Sequence, residues 1–173
     1  MPAADAPVDL DALDFSKLYA DRSRIEEVNA QRGDMVMLTG VVMVDPSRHL
    51  IVGYKDVLAD EFWTKGHFPR YPVMPGVLLC ETAAQLTSFY VYDQKVVSAE
   101  RLVGLGGIDR ARFRQPVKPG HRLVVVGRGR RVGRVGTQFD VVGHVRENGQ
   151  YVEAFSASIL GINIGEWKDL ERA

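Results

Sequence analysis

Residues 76–92 are too apolar to form a helix that lies on the protein surface. Their apolar side chains occupy all sides of a helical projection: Val77, Leu78, Leu79, Ala83, Ala84, Leu86 and Phe89. A helix that is apolar nearly all round has to be enclosed by other elements. Pro75 precedes it, and proline suits a first helical turn because the N–H it lacks would have no partner there. The sequence therefore predicts a buried helix of about 16 residues that begins at Gly76.

The rest of the chain supplies strands that can enclose this helix. Two segments before it are rich in Val, Leu, Ile and Met and are joined by the turn sequence Asp45-Pro46-Ser47-Arg48: residues 35–44 and 49–57. Four β-branched segments follow it, separated by glycine-rich or Asn148-Gly149 turns: residues 101–108, 122–130, 137–146 and 151–162. We expect an α+β fold in which an antiparallel sheet of about six strands wraps around one long central helix.

Length and composition predict a single domain. The chain has 173 residues, which is within the usual range for one domain. The first dozen residues are rich in Ala, Pro and Asp, so we expect a flexible tail over residues 1–13 and one domain over residues 14–173. Residues 15–29 are consistent with one or two short helices, and Asp14 is a candidate N-cap for the first.

Charge and cysteine content argue against several classes of function. The 22 Lys and Arg balance 22 Asp and Glu, whereas a protein that binds nucleic acid normally carries a basic excess. The single cysteine, Cys80, cannot form an internal disulfide, and no apolar stretch approaches the length needed to cross a bilayer. We expect a cytoplasmic protein that binds neither nucleic acid nor membrane. The histidines show no metal-ligand spacing, so we expect no metal.

Residues 66–85 contain the groups that are best suited to catalysis. His67 lies in a loop bracketed by prolines, the free N–H groups of Gly76 and Val77 open the apolar helix, and Glu81 lies within it. A histidine, a carboxylate and an oxyanion site suit the removal of a proton alpha to a carbonyl with loss of a beta-hydroxyl. A lone loop histidine is more often a surface residue, however. Glu81 can equally lie on one exposed stripe with Gln85, Ser88 and Tyr92.

Two blocks of sequence resemble one enzyme family. Gly66-His67-Phe68-Pro69, then Pro72-Val73-Met74-Pro75-Gly76-Val77 and Glu81, resemble the signature of the β-hydroxyacyl-(acyl-carrier-protein) dehydratases of the FabA/FabZ type, which have the hot-dog fold. Residues 107–120 resemble a second stretch of the same family. Glutamate at position 81 is closer to the FabZ branch. Arg70-Tyr71 and residues 31–34 depart from the family pattern.

The resemblance implies a hydro-lyase of fatty acid biosynthesis. It implies that His67 is the general base and Glu81 the general acid that remove water from a (3R)-hydroxyacyl thioester to give the trans-2-enoyl thioester. It also implies that the Gly76 N–H binds the thioester oxygen, and that further contacts to substrate come from Val77, Phe68, Phe62 and Trp63. Core packing explains Phe62 and Trp63 as well. No metal or other cofactor is implied, because the substrate is carried on the phosphopantetheine of an acyl carrier protein or of coenzyme A.

The resemblance further implies an active site shared between subunits. His67 of one subunit would meet Glu81 of the other, so we expect at least a homodimer, with a trimer of dimers as a further option. Two groups of arginines are candidates for docking an acidic carrier protein, although solvated charge explains them as well: Arg110, Arg112 and Arg114, and Arg128 with Arg130. A hot-dog acyl thioesterase and a non-catalytic acyl-binding protein remain as alternative functions.

Overall fold

The structure of the protein, a computed structural model that describes residues 8–171, is a curved antiparallel sheet wrapped around one long helix. The helices are α1 (Arg22–Val28), α2 (Gly76–Asp93) and α3 (Trp167–Leu170). The strands are β1 (Gly40–Asp45), β2 (Leu50–Asp56), β3 (Arg101–Phe113), β4 (Arg122–Val132), β5 (Gly136–Glu147) and β6 (Gln150–Glu166), in the order β1-β2-β4-β5-β6-β3. The expected α+β class and hot-dog architecture are confirmed.

Helix α2 lies on the concave face of the sheet and forms the centre of the core. Leu86 and Phe89 of α2 are fully buried and belong to the same apolar cluster as side chains from the facing strands: Ile51, Val125, Phe139, Phe155 and Ile159. Full burial of an apolar side chain of this size contributes about 2–3 kcal/mol. The helix approaches β2 closely, since a Cβ at Gly53 would lie 2.5 Å from Leu86 Cδ1. The helix is therefore enclosed, as its all-round apolar sequence predicts.

The β5–β6 hairpin shows how a local turn sequence sets the register of the sheet. Asn148 and Gly149 both have positive φ, at 50° and 82°, and glycine adopts this conformation without steric cost. A two-residue hairpin turn with positive φ at both positions matches the twist of the strands that it joins. Glu147 and Gln150 pair directly across the turn. Successive side chains of β5 point to opposite faces of the sheet, and this register directs Phe139 and Val141 into the core.

Residues 8–18 cover part of the convex face of the sheet. Leu10 is 7% exposed and belongs to a second apolar cluster with Leu50, Val52 and Val124, which face away from α2. Asp11 forms an ion pair with Arg146. This differs from the expected tail over residues 1–13: residues 8–13 pack on the sheet, because the outward-facing side chains of β2 and β4 are apolar too. Residues 1–7 of that tail lie outside the described residues.

The N-cap of the first helix also differs from expectation. Asp21, rather than Asp14, caps α1, because its carboxylate accepts a hydrogen bond from the Arg24 N–H at 2.9 Å. Asp14 instead closes a turn by accepting from the Ser16 N–H at 3.0 Å. Between residues 8 and 171, none of the helices is both long enough and apolar enough to span a membrane.

Candidate active site

His67 is held in one orientation by the loop between β2 and α2. Its Nδ1 lies 2.7 Å from the carbonyl oxygen of Val73. A carbonyl can only accept a hydrogen bond, so in the neutral ring Nδ1 carries the proton and Nε2 has the lone pair. The backbone is tied as well, with the His67 N–H donating to the Trp63 carbonyl at 2.9 Å and the Val73 N–H donating to the His67 carbonyl at 2.9 Å. The imidazole therefore presents a fixed basic nitrogen.

An open cavity of about 330 Å³ lies beside this imidazole. Its lining comes from the His67 loop, the start of α2, the end of β3 and the segment that follows β3: His67, Val73, Met74, Gly76, Leu79, Phe113, Arg114, Gln115, Pro116 and Val117. Most of these side chains are apolar, and Arg114 contributes a positive charge. A small, mostly apolar cavity with the His67 imidazole at its wall suits an uncharged acyl segment whose reacting carbon lies near His67.

The first turn of α2 opens onto the same cavity. Gly76 is the first residue of the helix, and its N–H has no preceding helical carbonyl to donate to. A Cβ at this position would lie 2.9 Å from Cζ of Phe113, so glycine allows the Phe113 ring to cover the helix start. Val77, also predicted to contact substrate, is 73% exposed and does not line the cavity.

Glu81 does not line the cavity that His67 lines. Its Oε1 accepts a hydrogen bond of 2.7 Å from Nε2 of Gln85. Gln85 is 1% exposed, which corrects the interpretation that Glu81, Gln85, Ser88 and Tyr92 form an exposed stripe. The stripe is covered at Gln85 because the segment that precedes β1 packs over it, with the Met37 N–H donating to Gln85 Oε1 at 2.9 Å. Within one chain, the predicted base and the predicted acid thus lie in separate environments.

The three aromatic residues predicted to contact substrate lie outside the cavity lining. Phe68 stacks on the His67 ring, with 4.1 Å between ring centroids, and is 54% exposed. Phe62 is 53% exposed. Trp63 is buried, and its Nε1 donates to Oε2 of Glu61 at 3.0 Å. Trp63 is thus part of the support of the loop.

The predicted docking arginines fall into different surroundings. Arg114 lines the cavity and pairs with Glu153, with 2.7 Å between Nε and Oε1. Arg110 and Arg130 come from the two predicted groups, yet both pair with the carboxylate of Asp140, at 3.4 and 2.6 Å. Arg112 is exposed and donates to the Ala111 carbonyl, whereas Arg128 is half-buried. Arg114 alone of the five lies at the cavity.

The other histidines are apart from this site. His49 Nδ1 lies 2.8 Å from the hydroxyl of Tyr90. His121 Nε2 lies 3.6 Å from Glu147. Burial lowers the pKa of His144 and of His121 below the usual value for histidine. Among residues 8–171, His, Cys, Asp and Glu form no group of three that could hold a metal ion.

Two contributors to the site were missed from sequence. Phe113 covers Gly76, and Glu61 anchors Trp63. Phe113 belongs to the second block that resembles the dehydratase family, which was a usable signal for its place near the site. Glu61 carried no such signal, because an acidic residue in a loop is usually solvated.

Comparisons with known proteins identify the family of the chain. A family model described as a FabA-like domain matches residues 29–156. The 3-hydroxyacyl-[acyl-carrier-protein] dehydratase FabZ of Bacillus velezensis is 35% identical over 125 residues, which are 66% of this chain and 87% of that protein. The FabZ of Desulfotalea psychrophila is 40% identical over 94 residues, which are 54% of this chain and 62% of that protein, less than two thirds of its length.

The solved structures support the fold independently. The dehydratase heterocomplex ApeI:P from Xenorhabdus doucetiae contains a chain that superposes with a TM-score of 0.64, covering 86% of this chain and 97% of that one. The two sequences are 15% identical, so this likeness concerns the fold. The family match covers most of the chain, and its curated relatives carry the FabZ name. The chain therefore belongs to the FabA-like family and is closer to the FabZ type than to the FabA type.

Proposed function

We propose that this protein is a β-hydroxyacyl-(acyl-carrier-protein) dehydratase of fatty acid biosynthesis, a hydro-lyase. The substrate would be a (3R)-hydroxyacyl thioester and the product the trans-2-enoyl thioester and water. The observation that carries this proposal is the imidazole of His67, with Nδ1 held by the Val73 carbonyl and Nε2 left basic beside an apolar cavity. The names of the curated FabZ relatives support the same activity.

The first half of the proposed reaction uses the cavity of one subunit. Nε2 of His67 takes the proton from the carbon alpha to the thioester carbonyl, and the electron pair moves toward the carbonyl oxygen. That oxygen lies at the N–H of Gly76, where the start of α2 favours negative charge. A preorganised donor of this kind is worth about 3–4 kcal/mol in other enzymes.

The second half needs an acid at the beta carbon. As the alpha–beta double bond forms, the beta C–O bond breaks, and Glu81 gives a proton to the departing hydroxyl, which leaves as water. Gln85 donates to Oε1 of Glu81, so Oε2 is the oxygen available to carry that proton. The proton on His67 then returns to Glu81 or to solvent. These steps use protein groups alone, so we propose no cofactor beyond the phosphopantetheine that carries the substrate.

A second copy of the chain would bring Glu81 to His67. The two edge strands differ: β1 is capped at Val41 by a bridge to Ala20, whereas β3 ends the sheet with no strand beside it in residues 8–171. Leu105, Ile108 and Phe113 on β3 are exposed. An uncapped apolar edge is a template for pairing with another chain. We therefore propose a homodimer joined along β3, with each site taking His67 from one subunit and Glu81 from its partner.

The carrier would approach at the mouth of the cavity. Arg114 lines the cavity and is 54% exposed, so it is placed to attract the acidic surface of a carrier protein or the phosphates of coenzyme A. Charge pairing of this kind changes the association rate more than the affinity. We propose Arg114 as the docking residue nearest to the reaction.

The dehydration itself tests the proposed function. Ultraviolet absorbance would follow enoyl-thioester formation from short β-hydroxyacyl thioesters on the wild type, His67→Ala and Glu81→Gln. We expect turnover by the wild type and a loss of about 100-fold or more in each variant. Release of free thiol without enoyl product would favour a thioesterase, and ligand binding without turnover would favour an acyl-binding protein. Either result would reject the dehydratase.

Mixing the two inactive variants tests the shared site. If each site takes His67 and Glu81 from different subunits, a hybrid dimer of His67→Ala and Glu81→Gln has one intact site and one doubly defective site. Random mixing should then restore up to about a quarter of wild-type activity, because half of the dimers are hybrids. Two copies of the same variant, unfolded and refolded together, are the control. No recovery in a mixture shown to exchange subunits would place both residues in one chain.

A further inference from the structure

A buried ion pair lies beneath the loop that carries His67. We propose that Lys55 and Glu61 act through Trp63 as positioning residues that aim the His67 imidazole into the cavity. This inference rests on the proposed function, since it assigns a task to the loop that holds the proposed base.

The Lys55–Glu61 pair is the most enclosed ion pair of the described chain. Nζ of Lys55 lies 2.8 Å from Oε1 of Glu61, and the two side chains are 8% and 11% exposed. In every other ion pair within residues 8–171, at least one side chain is 39% exposed or more. Lys55 comes from β2, whose backbone pairs with both β1 and β4. The cation therefore belongs to the rigid sheet.

Glu61 connects this sheet residue to the loop. Its Oε1 accepts a second hydrogen bond from the Leu58 N–H at 3.1 Å, and its Oε2 accepts from the indole Nε1 of Trp63 at 3.0 Å. Its backbone carbonyl accepts from Thr64, through the N–H at 3.0 Å and the hydroxyl at 2.8 Å. Both carboxylate oxygens are thus in use, and bonds to an ionised acceptor are stronger than neutral ones.

Trp63 transmits this fixed position to His67. Its indole is buried, while its backbone carbonyl accepts the N–H groups of both Gly66, at 3.1 Å, and His67, at 2.9 Å. The carbonyl and the indole belong to one residue, so the orientation that Glu61 imposes on the ring also limits where the His67 backbone can lie. The path from Lys55 to His67 therefore consists of one ion pair and two hydrogen bonds.

The ionic character of the anchor points to positioning rather than to stability. Replacing a buried ion pair by apolar side chains of similar size is often neutral for stability, because desolvation offsets the attraction. Removing one partner alone leaves an unpaired buried charge and is costly. The proline-dense loop lacks the repeated backbone bonds of a helix or strand. A directional side-chain anchor supplies the orientation that an apolar contact would leave loose.

Two variants remove the anchor without leaving an unpaired buried charge. Trp63→Phe removes the indole N–H and keeps the ion pair. Lys55→Met combined with Glu61→Leu replaces the pair by apolar side chains of similar size. In both we expect kcat to fall about 10- to 100-fold, the scale that a misplacement of about 1 Å can cost. The KM should change less than about twofold, because the cavity wall is intact.

Tyr90→Phe is the matched control. It removes one partly buried hydrogen bond of an aromatic side chain, to His49 rather than to the loop. We expect kcat to be unchanged in this variant, with a melting temperature lowered about as much as in Trp63→Phe. A folded Lys55→Met/Glu61→Leu protein with wild-type kcat would overturn the proposal. So would equal losses of kcat in Trp63→Phe and Tyr90→Phe, which would indicate a general effect of destabilisation.

A second readout is independent of turnover. Nitrogen-15 NMR can detect the proton on His67 Nδ1, which the bond to the Val73 carbonyl shields from exchange with water. We expect this signal in the wild type and in Tyr90→Phe, and its loss in Trp63→Phe and in the double variant. An unchanged signal in both anchor variants would overturn the positioning role. If the wild type fails to dehydrate any substrate while the signal responds as expected, the proposed function fails and the positioning role is retained.

Discussion

Gln85 donates a hydrogen bond of 2.7 Å from Nε2 to Oε1 of Glu81, one turn earlier on α2. The same amide nitrogen donates to the Met35 carbonyl at 2.7 Å, and the amide oxygen accepts from the Met37 N–H at 2.9 Å. The segment before β1 therefore fixes which end of the amide faces Glu81, and through it the direction of the carboxylate. The proposed acid is oriented from a distant part of the chain.

Replacing Gln85 by leucine should lower both stability and activity. The variant leaves the Met37 N–H and the Met35 carbonyl without their buried partner, which should cost about 2–4 kcal/mol of unfolding free energy. Glu81 loses its fixed orientation, so we expect kcat to fall about 10-fold. Urea unfolding and steady-state dehydration measure the two effects. Ser88→Ala, on the next turn of α2, is the control. It should change neither the free energy of unfolding nor kcat by a comparable amount. Wild-type kcat in folded Gln85→Leu would contradict the orienting role.

Gly76→Ala should affect catalysis more than stability. The new Cβ would approach Cζ of Phe113 to 2.9 Å, so the ring has to move. Phe113 is 53% exposed and can move at little cost, so we expect a change in unfolding free energy below about 1 kcal/mol. The displaced ring should enter the cavity and raise the KM severalfold. Adding Phe113→Leu should recover part of the lost kcat/KM. Failure of the second substitution to recover activity would mean that the ring is not the obstacle.

Leu10→Ala tests the packing of the N-terminal segment on the sheet. Leu10 is 7% exposed in the outer apolar cluster, and truncation of a buried leucine costs about 2–3 kcal/mol at a site that can partly collapse. We expect this loss in urea unfolding, with kcat unchanged because the cluster lies on the face opposite α2. Leu13→Ala, at a half-buried position of the same cluster, should cost less. A Leu10→Ala protein as stable as the wild type would show that residues 8–13 are a tail after all.

Stability should decrease in mild acid because of His144. Burial lowers the pKa of His144 in the folded state, although the charge of Glu153 partly opposes this. The unfolded chain therefore binds the proton more readily, and the stabilising effect of the neutral ring, present above pH 6.5, is lost as the pH falls through the folded-state pKa. Urea unfolding between pH 7.5 and pH 5 should show the decrease. In His144→Gln the free energy of unfolding should decrease less steeply as the pH falls. An identical slope would assign the pH dependence to other groups, His121 among them.

Local sequence patterns were sufficient for the main elements of the fold. Helix α2 begins at Gly76 as predicted and ends at Asp93, and each of the six predicted strands has a counterpart in the sheet. These patterns are informative because the side-chain periods of 3.6 and 2 residues decide which residues can share a buried face. The prolines from position 69 to 75 likewise predicted an irregular loop around His67. Strand β1 begins at Gly40, later than predicted, since Val36 and Met37 pack in the core without pairing in the sheet.

Contacts between distant residues could not be derived in this way. The exposed stripe predicted for Gln85 failed because a residue 48 positions earlier, Met37, occupies its amide. The interpretation of Arg110 and Arg130 as members of two separate groups did not anticipate that Asp140 binds both. Each of these outcomes depends on how segments that are separated in sequence pack against one another.

Whether each segment forms a helix, a strand or a loop was thus determined locally, by the spacing of apolar residues and the placement of prolines and glycines. The support of the proposed catalytic groups was settled by folding, since Lys55 and Glu61 meet beneath Trp63 once β2 and the loop have packed. The physical reason is that propensity and periodicity act over a few neighbouring residues. Burial, by contrast, obliges each polar group to find a partner wherever the chain brings one.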